Sequence, residues 1–457
     1  MSQQEPQKQI IERPDHGISR QSISENALKV LYRLHKAGFD AHLVGGGVRD
    51  LLLGHEPKDF DIATNARPEE VRDLFRNSRL IGRRFKLVHV RFGRDIIEVA
   101  TFRANREDSE HPEQHLDDSG RILRDNVYGS MGEDAIRRDF TVNALYYNIA
   151  DFSVVDFVDG VADLKAGLLR LIGDPETRYR EDPVRMIRAV RFATKLGFRI
   201  EEKTAQPIRE LANLLEDIPA ARLFEEVLKL FLGGRAAETL EMLRHYRLFR
   251  PMFRLTDEAI EASDKASALN FLSMGLGNTD ARIEDGKPVT PFFLFAVLLW
   301  EPVRQRYEAL QEEGVSPAEA MQVAADEVAG KQQQFVSIPR RFSTPMREVW
   351  QLQTRFQTRS GKRALRLLGH PRFRAAYDFL LLRAENGEIE QEVADFWTEF
   401  QEADASRQQQ MISELGNRPG GKEADDGSAA KSGRRRRRGG RRRRRKSGGS
   451  PKADDKD

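Results

Sequence analysis

The sequence predicts an α+β protein in three parts: a head on a small mixed sheet flanked by helices, an all-α neck and body, and a basic tail without structure. Three observations carry this. Residues 41–102 alternate short strand-like runs with glycine turns and short helical stretches. From residue 181 to about 402, apolar positions recur at helical spacing, broken only briefly by Gly, Pro and Asp. After Gly416 the composition turns to Gly, Ser, Lys, Asp and Arg with no apolar periodicity. The expected divisions are a flexible segment at 1–22, a head at 23–172, a neck at 173–235, a body at 236–415 and a disordered Arg-rich tail at 416–457.

Composition narrows the function classes. A chain of 457 residues has room for two to four domains, and 32% charged against 39% hydrophobic residues is consistent with unfolded segments. With no cysteine, disulfides, thiolate metal sites and a cysteine nucleophile are excluded. The net charge of +3 conceals an asymmetry: residues 431–446 carry twelve cations and no acid, which leaves the rest at −9. A basic tail on an acidic body reads as a polyanion-binding arm. Residues 1–20 show no signal-peptide pattern, and the apolar run 292–300 falls short of the roughly 18 residues a membrane span needs. A buried helix and a cytoplasmic setting are the expectations.

Taken in order, Ala27, Val30, Leu31 and Leu34 form one face of a helix. A strand ending at His42-Leu43-Val44 follows, then the turn Gly45-Gly46-Gly47 and a helix from Val48 to Leu53 stopped by Gly54. That order places backbone N–H groups and a helix N-terminus where an anion could sit. In Asp59-Phe60-Asp61-Ile62 the two carboxylates share a strand face, an arrangement that makes sense with a divalent cation between them. A tight turn and a solvated strand edge are the plain readings of each half. Together, with Arg49 and Lys58 beside them, they point to nucleotidyl chemistry.

Pro68 suits the first turn of a helix burying Val71, Leu74 and Phe75. Residues 85–92 and 95–102, joined by Gly93-Arg94, read as a hairpin with Ile96, Ile97 and Val99 as core positions and Glu98 an acid among them. Residues 103–132 read as a long loop, whose His111 and His115 are more simply solvated than metal-binding. Arg137-Arg138-Asp139 opens a helix or a helix–strand junction, and Asp156 to Gly160 reads as a turn. Asp182-Pro183 reads as a helix N-cap and first turn. Stepping about 100° per residue puts Met186, Ala189, Val190 and Ala193 on a buried stripe and Glu181, Arg185, Arg188 and Phe192 on another. Farther on, basic residues from Arg340 to Arg374 are interleaved with Phe342, Trp350, Phe356, Phe373 and Tyr377. That mixture suits a single-stranded RNA groove, or equally a basic helix surface over an aromatic core.

The run Gly45-Gly46-x-Val48-Arg49-Asp50 followed by Asp59-x-Asp61 resembles the head motif of the bacterial poly(A) polymerase and tRNA CCA-adding nucleotidyltransferase family (class II). Arg137 to Asn143 and Glu181-Asp182-x-x-Arg185 are similar to two further motifs of that family. The resemblance implies a polymerase-β-like nucleotidyltransferase head, with Asp59 and Asp61 holding two Mg²⁺ ions and Gly45, Gly46, Arg49 and Arg138 near the triphosphate. It further implies Asp139 as third catalytic carboxylate or as orienter of an arginine, with Glu98 as runner-up. Asp182 and Arg185 would select the base, and Arg188 would contact the nucleotide. The segment 80–90, the body and the tail resemble the poly(A) polymerase branch, so the expected activity is template-independent addition of AMP from ATP to RNA 3′ ends, releasing pyrophosphate. A CCA-adding enzyme and a non-catalytic RNA-binding adaptor are the rivals. Unidentified RNA-decay proteins as partners and a monomeric state complete the expectations.

Overall fold

The computed structural model describes residues 8–82, 86–104, 115–116, 122–124 and 127–416. The tail, His111, the side chain of His115 and Arg83 to Phe85 of the branch segment lie outside them. Eight strands make one sheet: β1 (Gln9–Ile11), β2 (Ala41–Val44), β3 (Asp61–Thr64), β4 (Ser78–Ile81), β5 (Leu87–Phe92), β6 (Asp95–Thr101), β7 (Leu145–Asn148) and β8 (Val154–Asp156). Their order is β1-β8-β7-β2-β3-β6-β5-β4, and only β3 and β6 run parallel.

The sheet is mixed as expected but larger, because strands the pattern missed extend both edges. Residues 1–22 were expected to be loose; from Gln9 the chain is instead ordered. Gln9, Ile10 and Ile11 pair with Asp156, Val155 and Val154, and Gln9 Nε2 donates to Asp159 Oδ1 at 2.7 Å. An edge strand needs only a backbone partner, so three residues with little apolar pattern suffice. Ile96 is also corrected: it is 41% exposed, since alternation turns it away from buried Ile97 and Val99.

Helix α1 (Glu25–Lys36) begins where Ser24 Oγ accepts from Ala27 N at 3.1 Å and buries Ala27, Val30, Leu31 and Leu34. It lies on the sheet face that carries Ile62, Val90, Ile97 and Val99. The opposite face bears Val44, Ala63, Phe102, Tyr146 and Val155 in a second cluster. Asp61 and Glu98 belong to this second face by strand alternation. Helix α2 (Gly46–Leu52) follows β2, helix α3 (Pro68–Leu74) starts at Pro68, and helix α4 (Met131–Arg137) precedes β7. Arg138 caps the C-terminal end of α4 and Asp139 follows it on the way to β7, so of the two expected alternatives the stretch is the helix–strand junction and opens no α-helix.

Helices α5 (Gly160–Ala166), α6 (Pro175–Glu181) and α7 (Val184–Leu196) lead out of the head. Asp182 caps the C-terminal end of α6, and Pro183 starts α7, so the anticipated N-cap at Asp182 is a junction between two helices. The turn at 156–160 is tight: Asp156 accepts from Val158 N and Val161 N, and a Cβ on Gly160 would sit 2.3 Å from the Thr141 carbonyl oxygen. Only glycine lets α5 approach the 141–143 turn so closely. Beyond α7 the described chain is helical apart from a two-residue strand, Arg199–Ile200, and the run 292–300 is buried as expected. One continuous core runs from Ile18 to Trp350 and beyond, through head, neck and body. No helix among the described residues is long and apolar enough to cross a membrane. Trp350, Phe356, Phe373 and Tyr377 are all buried, so these aromatics serve the core and not base stacking.

His42 on β2 is buried against Phe102 and Tyr146, and its Nδ1 has no hydrogen-bond partner. Burial lowers its pKa to about 4. The unfolded chain binds that proton near the ordinary histidine value of about 6.5, so stability falls as pH drops from about 6.5 to about 4, by up to about 3 kcal/mol from this group. Urea unfolding across this range should show the loss in the natural chain and a flatter profile in His42→Leu; identical profiles would rule out His42 as its source.

Candidate active site

At the C-terminal end of β2 the chain must turn sharply into α2. Gly45 does this at φ 75°, a conformation L side chains rarely adopt. Its N–H donates to the Leu145 carbonyl and its carbonyl accepts from Arg49 N. Beside the turn opens a cavity of about 380 Å³, floored by Gly45, Gly46 and Gly47. Lys58, Asp59 and Asp61 form one wall, Arg138, Asp139 and Asn143 a second, and Arg188, Arg191, Phe192 and Lys195 of α7 a third.

The acidic wall rests on the parallel pair. Asp61 lies directly opposite Glu98 across β3 and β6, and Glu98 Oε1 is 3.1 Å from His89 Nε2. Burial pushes the Asp61 carboxyl up to about 6, with Glu98 and Asp59 adding repulsion and Arg138 opposing it. Asp59 precedes the strand instead of lying in it. Among the described residues neither aspartate carboxylate accepts a hydrogen bond, and no three acidic or histidine side chains form a ready-made metal cage. Two free, mutually repelling carboxylates beside phosphate-sized space are a donor set of hard oxygens that fits Mg²⁺.

The basic walls are held rigidly. Arg49 is 2% exposed; its Nη1 donates to Asn143 Oδ1 at 2.6 Å, while Nε and Nη2 donate to Asp50 Oδ1. Arg138 donates through Nε and Nη2 to Asp134 Oδ2 at 3.2 and 2.9 Å and through Nε to the Tyr146 hydroxyl, which itself donates to Asp134 at 2.7 Å. Its Nη1 is left facing the glycine turn, 3.6 Å from where a Cβ on Gly45 would stand. Asp139 accepts from Phe140 N, Asn143 Nδ2 and Arg188 Nε, the last at 2.7 Å, with a second contact to Arg188 Nη2. Burial works to raise its pKa, but Arg188 and these hydrogen bonds overcome it and hold the carboxyl at about 2. The guanidiniums of Arg49, Arg188 and Arg191 stand 5.4, 5.2 and 4.8 Å from the Phe192 ring centroid, so one ring spaces three cations.

Eight of the ten sequence candidates line this cavity. Asp182 and Arg185 do not. Asp182 Oδ2 accepts from Arg222 Nη2 at 2.9 Å, and its buried Oδ1 has no partner. Arg185 Nη1 donates to Glu181 Oε2 and to the Arg178 carbonyl. Sequence reasoning missed Arg191 and Lys195, although both fall three and seven residues after Arg188 on the same helix face. It also missed the Asp134 and Tyr146 support beneath Arg138, which no spacing announces.

A strand–glycine turn–helix with paired aspartates and an arginine-lined, triphosphate-sized cavity defines a nucleotidyltransferase. Family models place this chain further: Poly A polymerase head domain matches residues 41–170, Probable RNA and SrmB- binding site of polymerase A matches 197–260, and Polymerase A arginine-rich C-terminus matches 313–446. Poly(A) polymerase I of Salmonella typhi is 52% identical over 91% of this chain and 90% of its own, and that of Haemophilus influenzae 46% identical over 89% and 91%. The chain belongs to the bacterial poly(A) polymerase I family and is a template-independent polynucleotide adenylyltransferase. A CCA-adding enzyme of Lactobacillus helveticus is 41% identical over only 47% of this chain and 52% of its own. Among solved structures, a tRNA-processing enzyme with CTP has a TM-score of 0.56 at 23% identity, covering 84% of this chain and 97% of that one, which shows the shared fold.

Proposed function

We propose that the chain adds AMP from ATP to RNA 3′ ends, with Asp59 and Asp61 as the ligands of two Mg²⁺ ions. The observation that carries this is the pair of carboxylates without hydrogen bonds, one of them raised to about 6, facing an arginine-lined cavity. When bound, Mg²⁺ would lower the pKa of the attacking 3′-hydroxyl and offset charge on the departing pyrophosphate. The chain's own residues do the rest. The glycine turn and Arg49 approach the triphosphate from one side, and Arg138 and Arg188 from the other. Bidentate guanidiniums pre-set by Asp134 and Asp139 lose little freedom on gripping phosphate oxygens.

For the third carboxylate we favour Glu98 over Asp139. Asp139 is fully engaged by Arg188, Asn143 and Phe140 N, whereas Glu98 stands opposite Asp61. Asp139 then acts as the orienter of Arg188. The unpartnered Oδ1 of Asp182 is a buried acceptor, which suits the amino group of an adenine, and Arg185 is held beside it by Glu181.

The test offers the four nucleoside triphosphates separately with an unstructured RNA primer and Mg²⁺. Long adenylate tails from ATP alone are expected. Incorporation that requires CTP and stops after a few residues would instead establish CCA addition, and no incorporation at all would leave a non-catalytic adaptor.

A further inference from the structure

In the helical body most arginines are neutralised. Arg347 pairs with Asp326, Arg359 with Glu392, Arg372 with Glu348 and Arg374 with Asp378. Arg355, Arg363 and Arg366 are different: all three are exposed and none has an acidic partner among the described residues. They line one cleft of about 630 Å³, between the end of the helix Arg340–Phe356, the helix Gly361–Leu368 and the start of the helix Pro317–Gln332. No acid lines it. The hydroxyls of Tyr307, Ser316 and Thr358, also on its walls, have no hydrogen-bond partner among the described residues.

Outside residues 431–446 the chain carries a formal −9, so a cleft holding three unpaired guanidiniums is no sample of its average surface. Like charges brought together cost free energy unless an anion sits among them. We propose that this cleft grips the phosphodiester backbone of the RNA upstream of its 3′ end. This rests on the reading that the chain extends RNA. Arg363 and Arg366 are three residues apart on one helix face and project together. Arg355 approaches from the neighbouring helix, so the three present a bent row of forked donors to successive phosphates. The neutral hydroxyls add donors without adding charge. Phe356, Phe373 and Tyr377 beneath are buried and Tyr307 is the one aromatic ring on the cleft wall among the described residues, so the grip reads chiefly backbone and not base.

The full chain carrying Arg355→Gln, Arg363→Gln and Arg366→Gln is compared with the natural one for binding of a fluorescent oligouridylate, by anisotropy, in EDTA without ATP. Losing three phosphate contacts should weaken binding about tenfold or more at low salt and reduce the slope of log Kd against log salt by about 2. KM for RNA should rise while kcat at saturating RNA and KM for ATP stay unchanged. The triple Arg→Lys variant, which keeps the charge, should restore the salt slope. Unchanged affinity and slope in the Gln variant would overturn the proposal, as would a loss of kcat at saturating RNA. So would intact RNA binding together with lost binding to an acidic protein. Because the anisotropy measurement needs no catalysis, failure of the nucleotide assay and failure of this cleft are told apart.

Discussion

Asp61→Asn should lower adenylate incorporation at least about a thousandfold, corresponding to about 4 kcal/mol of lost transition-state stabilisation, while RNA binding in EDTA stays nearly unchanged. The same substitution should make the metal-free protein more stable. With its carboxyl raised to about 6 by burial and by Glu98, Asp61 releases its proton less readily folded than unfolded. Its charged form therefore opposes folding at neutral pH: stability is greatest below the unfolded value of about 4 and declines as pH rises through about 6. Removing the charge should gain on the order of 1–3 kcal/mol at pH 7. Added Mg²⁺ should raise the melting temperature of the natural chain and have little effect on Asp61→Asn. Full activity in the variant, or a variant less stable than the natural chain, would reject the metal assignment.

The second large effect belongs to Asp139. Replacing it with Asn leaves the Arg188 guanidinium half-buried without its anion, which should cost about 3–5 kcal/mol of stability. Because the folded carboxyl sits at about 2 and the unfolded one near 4, the natural chain keeps this stabilisation above about pH 4 and loses it as pH falls towards 2. Asp139→Asn should lack that acid-dependent loss. KM for ATP should rise in Asp139→Asn and in Arg188→Gln alike, and the double variant should be no worse than the worse single one. Strictly additive effects on KM and stability would show that Asp139 acts independently of Arg188, as a metal ligand would.

Much of the site was legible because its chemistry sits in contiguous stretches. Gly45 to Asp61 spells out the turn and the acids, and Arg138-Asp139 and Arg188 were legible through family motifs. What could not be read are relations between stretches. Glu98 looks like any solvent-facing acid until the parallel register sets it opposite Asp61. Asp139 reads as a metal-binding acid until Arg188, 49 residues later, claims its oxygens. The edge strand Gln9–Ile11 was hidden because edge pairing asks little of side chains. In the body, aromatic and basic residues alternate in sequence, and only burial separates the core rings from the surface charges.

The single parallel pairing in the sheet also bears on the order in which this enzyme assembles. Strands β5 and β6 are joined by two residues, and β7 and β8 by five, so both hairpins close short loops quickly. Bringing β3 beside β6 requires α3, β4 and the first hairpin to be traversed, and loop-closure entropy delays such contacts. The pairings of β2 with β7 and of β1 with β8 close still longer stretches of chain, so by the same reasoning Asp61 and Glu98 meet after the hairpins but before that half of the sheet joins. The mutual repulsion of the acids arises midway through assembly and must be borne by the contacts that β2, β7, β8 and β1 add afterwards.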